Sequence, residues 1–185
     1  GVMGLGRGMA HVKNYLKLSD VEVAYVCDVD DNRTANGLSV VTKSQEAACR
    51  GITDLRRMLD DPHLDAISIA APNFWHAPAT ILGCQAGKHV YVEKPMSHDV
   101  HEGRVAVEAQ RKYGVVIQHG TQQRSSANVA GLHEMINAGK FGKLMISYGY
   151  CCKPRTGIGF KSPSAPPSNL DWNLWRGPAV IDTYH

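Results

Sequence analysis

Short apolar runs alternate with amphipathic stretches along most of the chain. Runs at 21–27, 66–70, 89–92 and 115–118 are rich in Val, Ile and Ala and predict strands. A further short strand is expected near Gly51, and another in the apolar start before the first glycines. Since these runs are apolar at successive positions, we expect the strands to be covered on both faces, which is typical of a parallel sheet.

Between the strands, apolar residues recur at helical spacing. Helices are predicted from the glycines near residue 8 through Leu16, at 32–49, after Thr53 or Asp54, at 77–86 and at 99–113. Gly87 and Gly114 stand where helix-ending glycines are expected. Strands that alternate with helices predict an α/β fold, a doubly wound parallel sheet with helices on both faces.

Polar residues and glycines follow the predicted strands. In an open parallel sheet, ligands bind beyond the carboxyl ends of the strands. The residues expected along that edge are Asp28, Pro72, Asn73, Glu93, Lys94, Gln122 and the glycine loop 4–9.

The pattern changes after residue 122. A helix is predicted from Ser125 or Ser126 to Gly139, followed by a strand at 143–150 and a proline-rich stretch at 153–180. We therefore expect a first domain at 1–122 and the start of a second domain at 123–185. Because the chain begins within a predicted strand and ends without a helix cap, we expect it to be a fragment of a longer protein.

The amino-acid composition limits the classes to which this protein can belong. The chain is 43% hydrophobic and 20% charged, with a net charge of +3, which is typical of a globular protein. The scattered basic residues do not favour nucleic-acid binding, and no apolar run approaches the ~20 residues of a membrane span. Five cysteines without a CxxC pair favour buried free thiols, and the His98–His101 pair lacks a third metal ligand. We expect no metal.

The first strand–helix turn carries Gly4, Gly6 and Gly8, with Arg7 and Met9 in the same loop. Such glycines let the backbone approach a pyrophosphate that the helix N-terminus holds. An acidic residue about 20 positions further binds the adenosine ribose, and Asp28 stands in that place. An ordinary glycine-rich turn is the alternative. Asp28 favours NAD, whereas the nearby Arg33 leaves NADP open.

Five segments together resemble one family. They are GLGRGMAH at 4–11, APNFWHA at 71–77, EKP at 93–95, GTQQR at 120–124 and NLDWNLWRGP at 169–178. The chain resembles the Gfo/Idh/MocA oxidoreductases, which include glucose–fructose oxidoreductase and inositol dehydrogenases. The EKP and WRGP segments carry more of this resemblance than the glycines do.

The resemblance implies an N-terminal Rossmann domain and a second α/β domain with an open, mostly antiparallel sheet, through which such proteins commonly form homo-oligomers. It implies that the substrate is a sugar or cyclitol and that the Lys94–Pro95 bond is cis, aiming Lys94 into the cleft. The implied cofactor-binding residues are Gly4, Gly6, Arg7, Gly8, Met9, Asp28, Pro72, Asn73, His76, Glu93, Lys94, Gln122, Trp172 and Arg176.

Lys94 is the expected catalytic residue. At a partly dry cleft it can hydrogen-bond a reacting hydroxyl and help to move its proton during hydride transfer. The alternative is a lysine that only pairs with Glu93 or solvent. For His76 the alternative is a histidine that caps the following helix. Lys153 and Arg155 are expected either to reach a substrate hydroxyl or to lie in a solvated loop.

Two departures from the family pattern bear on function. The glycine loop is one residue short, since Gly8 follows two positions after Gly6. The family's catalytic Asp and His are expected beyond His185. The favoured function is an NAD(P)-dependent oxidoreductase; an NAD-dependent glycosidase working by oxidation, elimination and reduction, and a non-catalytic nucleotide-binding protein, are the alternatives. We expect a cytoplasmic protein or, alternatively, an exported one.

Overall fold

The computed structural model describes residues 1–151, 156–157 and 159–185. Six parallel strands form one sheet in the order β3-β2-β1-β4-β5-β6. The strands are β1 Val2–Met3, β2 Tyr25–Cys27, β3 Arg50–Ile52, β4 Ala66–Ile69, β5 His89–Glu93 and β6 Ile117–Gly120. This order confirms the predicted doubly wound sheet and is that of the Rossmann fold.

Helices cover both faces of the sheet. These are α1 Gly8–Tyr15, α2 Asp31–Thr42, α3 Arg56–Leu59, α4 Asn73–Gln85 and α5 Val100–Tyr113. The described residues also form α6 Ala127–Asn137, α7 Trp172–Arg176 and a 3-10 helix at Gln122–Ser125. Val12 of α1 and Val41 of α2 pack with Val2 and Val26 on one face. Residues of α3, α4 and α5 pack on the other face, against β1, β2, β4 and β5. β1 and β2 are thus packed by helices on both faces, and β4 and β5 are packed by α3, α4 and α5.

Several strands and helices begin or end at residues other than those predicted. The predicted strand at 21–27 is paired only over Tyr25–Cys27, because the Gln45 side chain takes both the N–H and the C=O of Val23. The helix predicted at 32–49 ends at Thr42. The helix predicted at 77–86 begins at Asn73, directly after Pro72, and accommodates Pro78 in its interior.

By its internal contacts the chain forms two compact units. One comprises Gly1–Gly120 and Ser164–Tyr184, and the other comprises Thr121–Pro163 and His185. In the second unit, α6 confirms the helix predicted after Ser126. The strand predicted at 143–150 is wrong, because the described residues offer this exposed segment no neighbouring strand with which to pair.

Cys27 and Cys84 are buried free thiols, as predicted, whereas Cys151 is exposed. Burial raises the pKa of Cys27 to about 12, so its thiol stays protonated at neutral pH. Over the described residues, no helix is long and apolar enough to span a membrane.

Candidate cofactor and active site

The glycine loop joins β1 to α1 at the carboxyl edge of the sheet. Gly4 has φ +84°, and a Cβ there would stand 2.6 Å from the backbone of Ala70 and Ala71. The amide of Gly8 donates to the carbonyl of Gly4 at 3.0 Å, so α1 begins immediately. A Cβ on Gly8 would lie 3.1 Å from Val2, which shows how closely α1 packs on β1. Although one residue short, the loop still presents the N-terminus of α1 at the sheet edge.

Asp28 follows β2 and supports this loop. It is 8% exposed, and its Oδ2 accepts the Leu5 N–H at 2.6 Å while Oδ1 accepts the Asp30 N–H at 3.0 Å. An ionised carboxylate has about four acceptor sites, so two backbone donors leave capacity for ribose hydroxyls. Asp28 therefore fixes the glycine loop and remains a suitable ligand for a diol.

Arg33 lies beside the same loop. Its Nη1 would be 2.9 Å from a Cβ on Gly6, and its Nε is 3.8 Å from Oδ2 of Asp30. The side chain is more than half exposed. A guanidinium near the predicted ribose-binding residue is the kind of group that pairs with a 2′-phosphate.

Pro72 and Asn73 follow β4 and open α4, with Asn73 exposed. His76, in the first turn of α4, is 2% exposed. Its Nε2 lies 2.8 Å from the Ala71 carbonyl and its Nδ1 contacts the Pro95 carbonyl. His76 thus bridges the loops that follow β4 and β5, rather than capping the helix. Since both ring nitrogens have partners, its predicted contact with a cofactor stays a prediction.

Lys94 extends from the end of β5. Its side chain is exposed, whereas the preceding Glu93 is 5% exposed. The Lys94–Pro95 bond is cis, as the resemblance implies. β4 and β5 are parallel neighbours in the sheet, so Lys94 and the start of α4 at Asn73 lie at the same edge of the sheet. Lys94 directly follows β5. It therefore places an exposed positive charge at the sheet edge where the glycine loop also lies.

The segment 169–177 of the first unit binds along this edge. The Asn169 side chain donates to Oδ1 of Asp30 at 3.0 Å, and the Asp171 N–H donates to the Val29 carbonyl at 2.9 Å. At the other end, Nε1 of Trp75 donates to the Leu174 carbonyl at 2.9 Å. The segment therefore connects the loop after β2 with the start of α4.

Trp172 and Arg176, predicted to contact the cofactor, belong to this segment. Trp172 stacks on Trp175, with ring centroids 4.9 Å apart. Nη1 of Arg176 forms an ion pair with Asp182 at 2.9 Å. Their cofactor contacts stay predictions.

The remaining predicted residues are Arg7, Met9, Gln122, Lys153 and Arg155. Arg7 and Met9 are in the loop and the first turn of α1, Arg7 mostly exposed and Met9 partly buried. Gln122 begins the 3-10 helix of the second unit, and its contribution to a site stays a prediction. Lys153 and Arg155 lie outside the described residues.

The structure adds residues that the sequence pattern did not indicate. Nδ1 of His11 is 2.8 Å from Oγ of Ser68, and its Nε2 is 3.0 Å from Oε1 of Glu93. Trp75 and Asn169 position the edge-binding segment. The available signals were the position of His11 at the end of the GLGRGMAH segment and its place on the same face of a short helix as Gly8.

A parallel sheet of this strand order, a glycine turn entering α1 and an acidic residue after β2 define a dinucleotide-binding protein of the Rossmann class. The glycine turn fits a pyrophosphate because, among the described residues, a Cβ on Gly6 would meet only the end of the flexible Arg33 side chain, so the backbone there is open to a ligand. Residues 1–121 match the family described as "Oxidoreductase family, NAD-binding Rossmann fold". The chain belongs to this Gfo/Idh/MocA family.

Individual relatives agree with this assignment. The myo-inositol 2-dehydrogenase of Thermotoga maritima is 28% identical over 183 residues, covering 98% of this chain and 50% of the relative. The scyllo-inositol 2-dehydrogenase (NAD(+)) of Bacillus subtilis is 31% identical, covering 80% and 43%. The crystal structure of the WlbA dehydrogenase of Bordetella pertussis, in complex with NADH and UDP-GlcNAcA, has a TM-score of 0.69 at 28% identity, covering 77% and 40%. The chain spans about half the length of the curated relatives it matches.

Proposed function

We propose that this chain supplies the cofactor-binding part of an NAD(P)-dependent oxidoreductase acting on a hydroxyl-bearing carbon of a sugar or cyclitol. The observation that carries the proposal is the exposed Lys94 at the end of β5, on the sheet edge that also holds the glycine loop. A phosphate-binding turn and a proton-transferring side chain at one edge are what hydride transfer from an alcohol requires. The names of the inositol dehydrogenase relatives support the substrate class.

The residues have separate tasks in this proposal. When bound, the nicotinamide ring accepts or returns the hydride. Gly4, Gly6 and Gly8 admit the pyrophosphate to the N-terminus of α1, and Asp28 accepts hydrogen bonds from the ribose. Lys94 orients the substrate hydroxyl and takes part in moving its proton. Pro72 and Asn73 line the edge between the glycine loop and Lys94.

The experiment is a spectrophotometric assay of the intact protein with NAD or NADP and a panel of inositols, free sugars and glycosides. We expect reduced cofactor to accumulate with at least one free polyol or sugar. Release of free sugar from a glycoside without net cofactor reduction would instead establish the glycosidase alternative. NAD(P) binding in a calorimetric titration, with no turnover of any compound in the panel, would instead support the non-catalytic alternative.

Arg33 leads to a prediction about cofactor choice. Because its guanidinium lies over Gly6 and beside Asp30, Arg33→Ala is expected to weaken NADP binding roughly tenfold, as loss of a charge-assisted hydrogen bond does, and to leave NAD binding nearly unchanged. Fluorescence titration with both cofactors measures the ratio. Arg57→Ala, an exposed arginine on α3, is the control. An unchanged NADP-to-NAD ratio in Arg33→Ala would contradict this role.

It stays a prediction that residues 123–185 form the start of a domain that binds substrate and forms homo-oligomers. The location of the protein, cytoplasmic or exported, also stays a prediction.

A further inference from the structure

Three polar side chains form a buried chain of contacts beneath α1. His11 of α1 lies 2.8 Å from Oγ of Ser68 in β4 and 3.0 Å from Oε1 of Glu93 at the end of β5. Ser68 is 3% exposed and Glu93 is 5% exposed. Polar groups so deeply buried need their hydrogen-bond partners, so these contacts fix one another.

The partners determine which atoms carry hydrogen. A carboxylate only accepts, so Nε2 of His11 donates to Glu93; when the ring is neutral, Nδ1 then accepts the hydroxyl hydrogen of Ser68. A neutral imidazole in this single tautomer satisfies the whole chain. The ring of Tyr91 meets His11 edge-on at 5.3 Å, and burial together with Glu93 raises the pKa of the Tyr91 hydroxyl.

This chain of contacts joins the two functional elements of the sheet edge. His11 lies on the helix that the glycine loop opens, one turn beyond Gly8. Glu93 precedes Lys94, and its Oε2 accepts the Lys94 N–H at 3.2 Å. Arg7 is a second cation near the carboxylate: its Nε is 3.8 Å from Oε1, and its side chain is mostly exposed.

We propose that His11 is a positioning residue that holds the Glu93 carboxylate under α1 and thereby keeps the ammonium group of Lys94 free to meet a substrate hydroxyl. The role for Lys94 rests on the proposed function. Without the Nε2–H donor, the buried carboxylate loses its 3.0 Å hydrogen bond from His11, and the adjacent Lys94 is a flexible cation that can replace it. An ion pair between adjacent residues would then withdraw the lysine from the cleft.

The first test needs no turnover. Lys94 in the intact, cofactor-free protein is labelled with an amine-selective acylating reagent, and mass spectrometry follows its rate against exposed Lys13 in the same sample. His11→Ala is expected to slow labelling of Lys94 roughly two- to fivefold, the factor that an added ion pair gives at a partly exposed site. An unchanged relative rate would overturn the proposal.

Two further variants separate positioning from simple packing. His11→Gln, which retains an N–H donor toward Glu93, is expected to label like the wild type and also covers the case in which His11→Ala does not fold. In His11→Ala/Glu93→Gln the neutral amide cannot hold an ammonium as an ion pair, so labelling of Lys94 is expected to recover. If Glu93→Gln instead slows the labelling of Lys94 further, His11 serves only packing and the proposal fails.

Turnover gives the second readout. With a sugar that the wild type oxidises, His11→Ala is expected to lower kcat by at least the factor seen in labelling, while cofactor Kd changes less than about twofold. A wild type that binds cofactor but oxidises no polyol would refute the proposed function and leave the labelling result to decide the role of His11. Equal kcat in wild type and His11→Ala would refute the positioning role alone.

Discussion

Lys94→Ala is expected to lower kcat for polyol oxidation about 10²- to 10⁴-fold, the contribution typical of a positioned proton-transfer group. The cofactor Kd is expected to change less than about threefold, because in the proposed function the main dinucleotide contacts are those of the glycine turn and Asp28. Since Lys94 is exposed and packs against no core residue, folding should be unaffected. Steady-state kinetics and a cofactor titration of the intact protein measure both quantities.

Two matched variants define what the lysine contributes. Lys94→Arg keeps the charge but cannot give up a proton near neutral pH, so it is expected to remain as slow as Lys94→Ala if proton movement is the task. Lys112→Ala removes an exposed lysine from α5 and is expected to behave as wild type. Full turnover in Lys94→Ala would leave Lys94 with a structural role only.

Gly4→Ala is expected to abolish cofactor binding and to destabilise the fold. The positive φ of +84° costs about 1–2 kcal/mol for a residue with a Cβ. The added methyl would also lie 2.6 Å from the Ala70 carbonyl and the Ala71 amide, so β1 and the loop after β4 must separate. That separation moves the glycine turn away from the edge where Pro72 stands. Denaturant unfolding and a cofactor titration measure the two effects.

Gly114 offers a control for backbone conformation alone. It also has positive φ, +66°, but a Cβ there would meet nothing within 4 Å. Gly114→Ala should therefore show only the conformational cost and keep its cofactor affinity. Equal losses of stability in the two variants, with cofactor binding intact in both, would show that the close approach at Gly4 is unimportant.

Much of the fold can be predicted from the local pattern of apolar residues and glycines in the sequence. Strands buried on both faces, helix-ending glycines and the alternation of elements predict a parallel sheet, and such a sheet brings its carboxyl ends to one edge. Gly4, Asp28, Pro72 and Lys94 were predicted to share that edge for this topological reason, and the strand order confirms their placement there. Their chemical roles remain predictions.

The predictions that were wrong or missing concern residues whose structure depends on partners distant in the chain. Whether 143–150 forms a strand depends on a neighbour, not on its β-rich composition. The contacts of His11 span 57 and 82 positions, so no spacing rule could pair it with Ser68 or Glu93. The role of His76 as a bridge was likewise hidden, because its partners are backbone carbonyls that any residue provides.

The hydrogen bond from Asn169 to Asp30 has a consequence for the order in which the protein folds during its synthesis. These residues are 139 positions apart, and Trp75 and Leu174 are 99 apart. On the ribosome the six strands emerge long before the segment that binds along their edge, so the sheet can assemble while that edge is still uncovered. The cofactor, if present in the cell at that stage, meets the glycine turn before residues 169–177 have been synthesised.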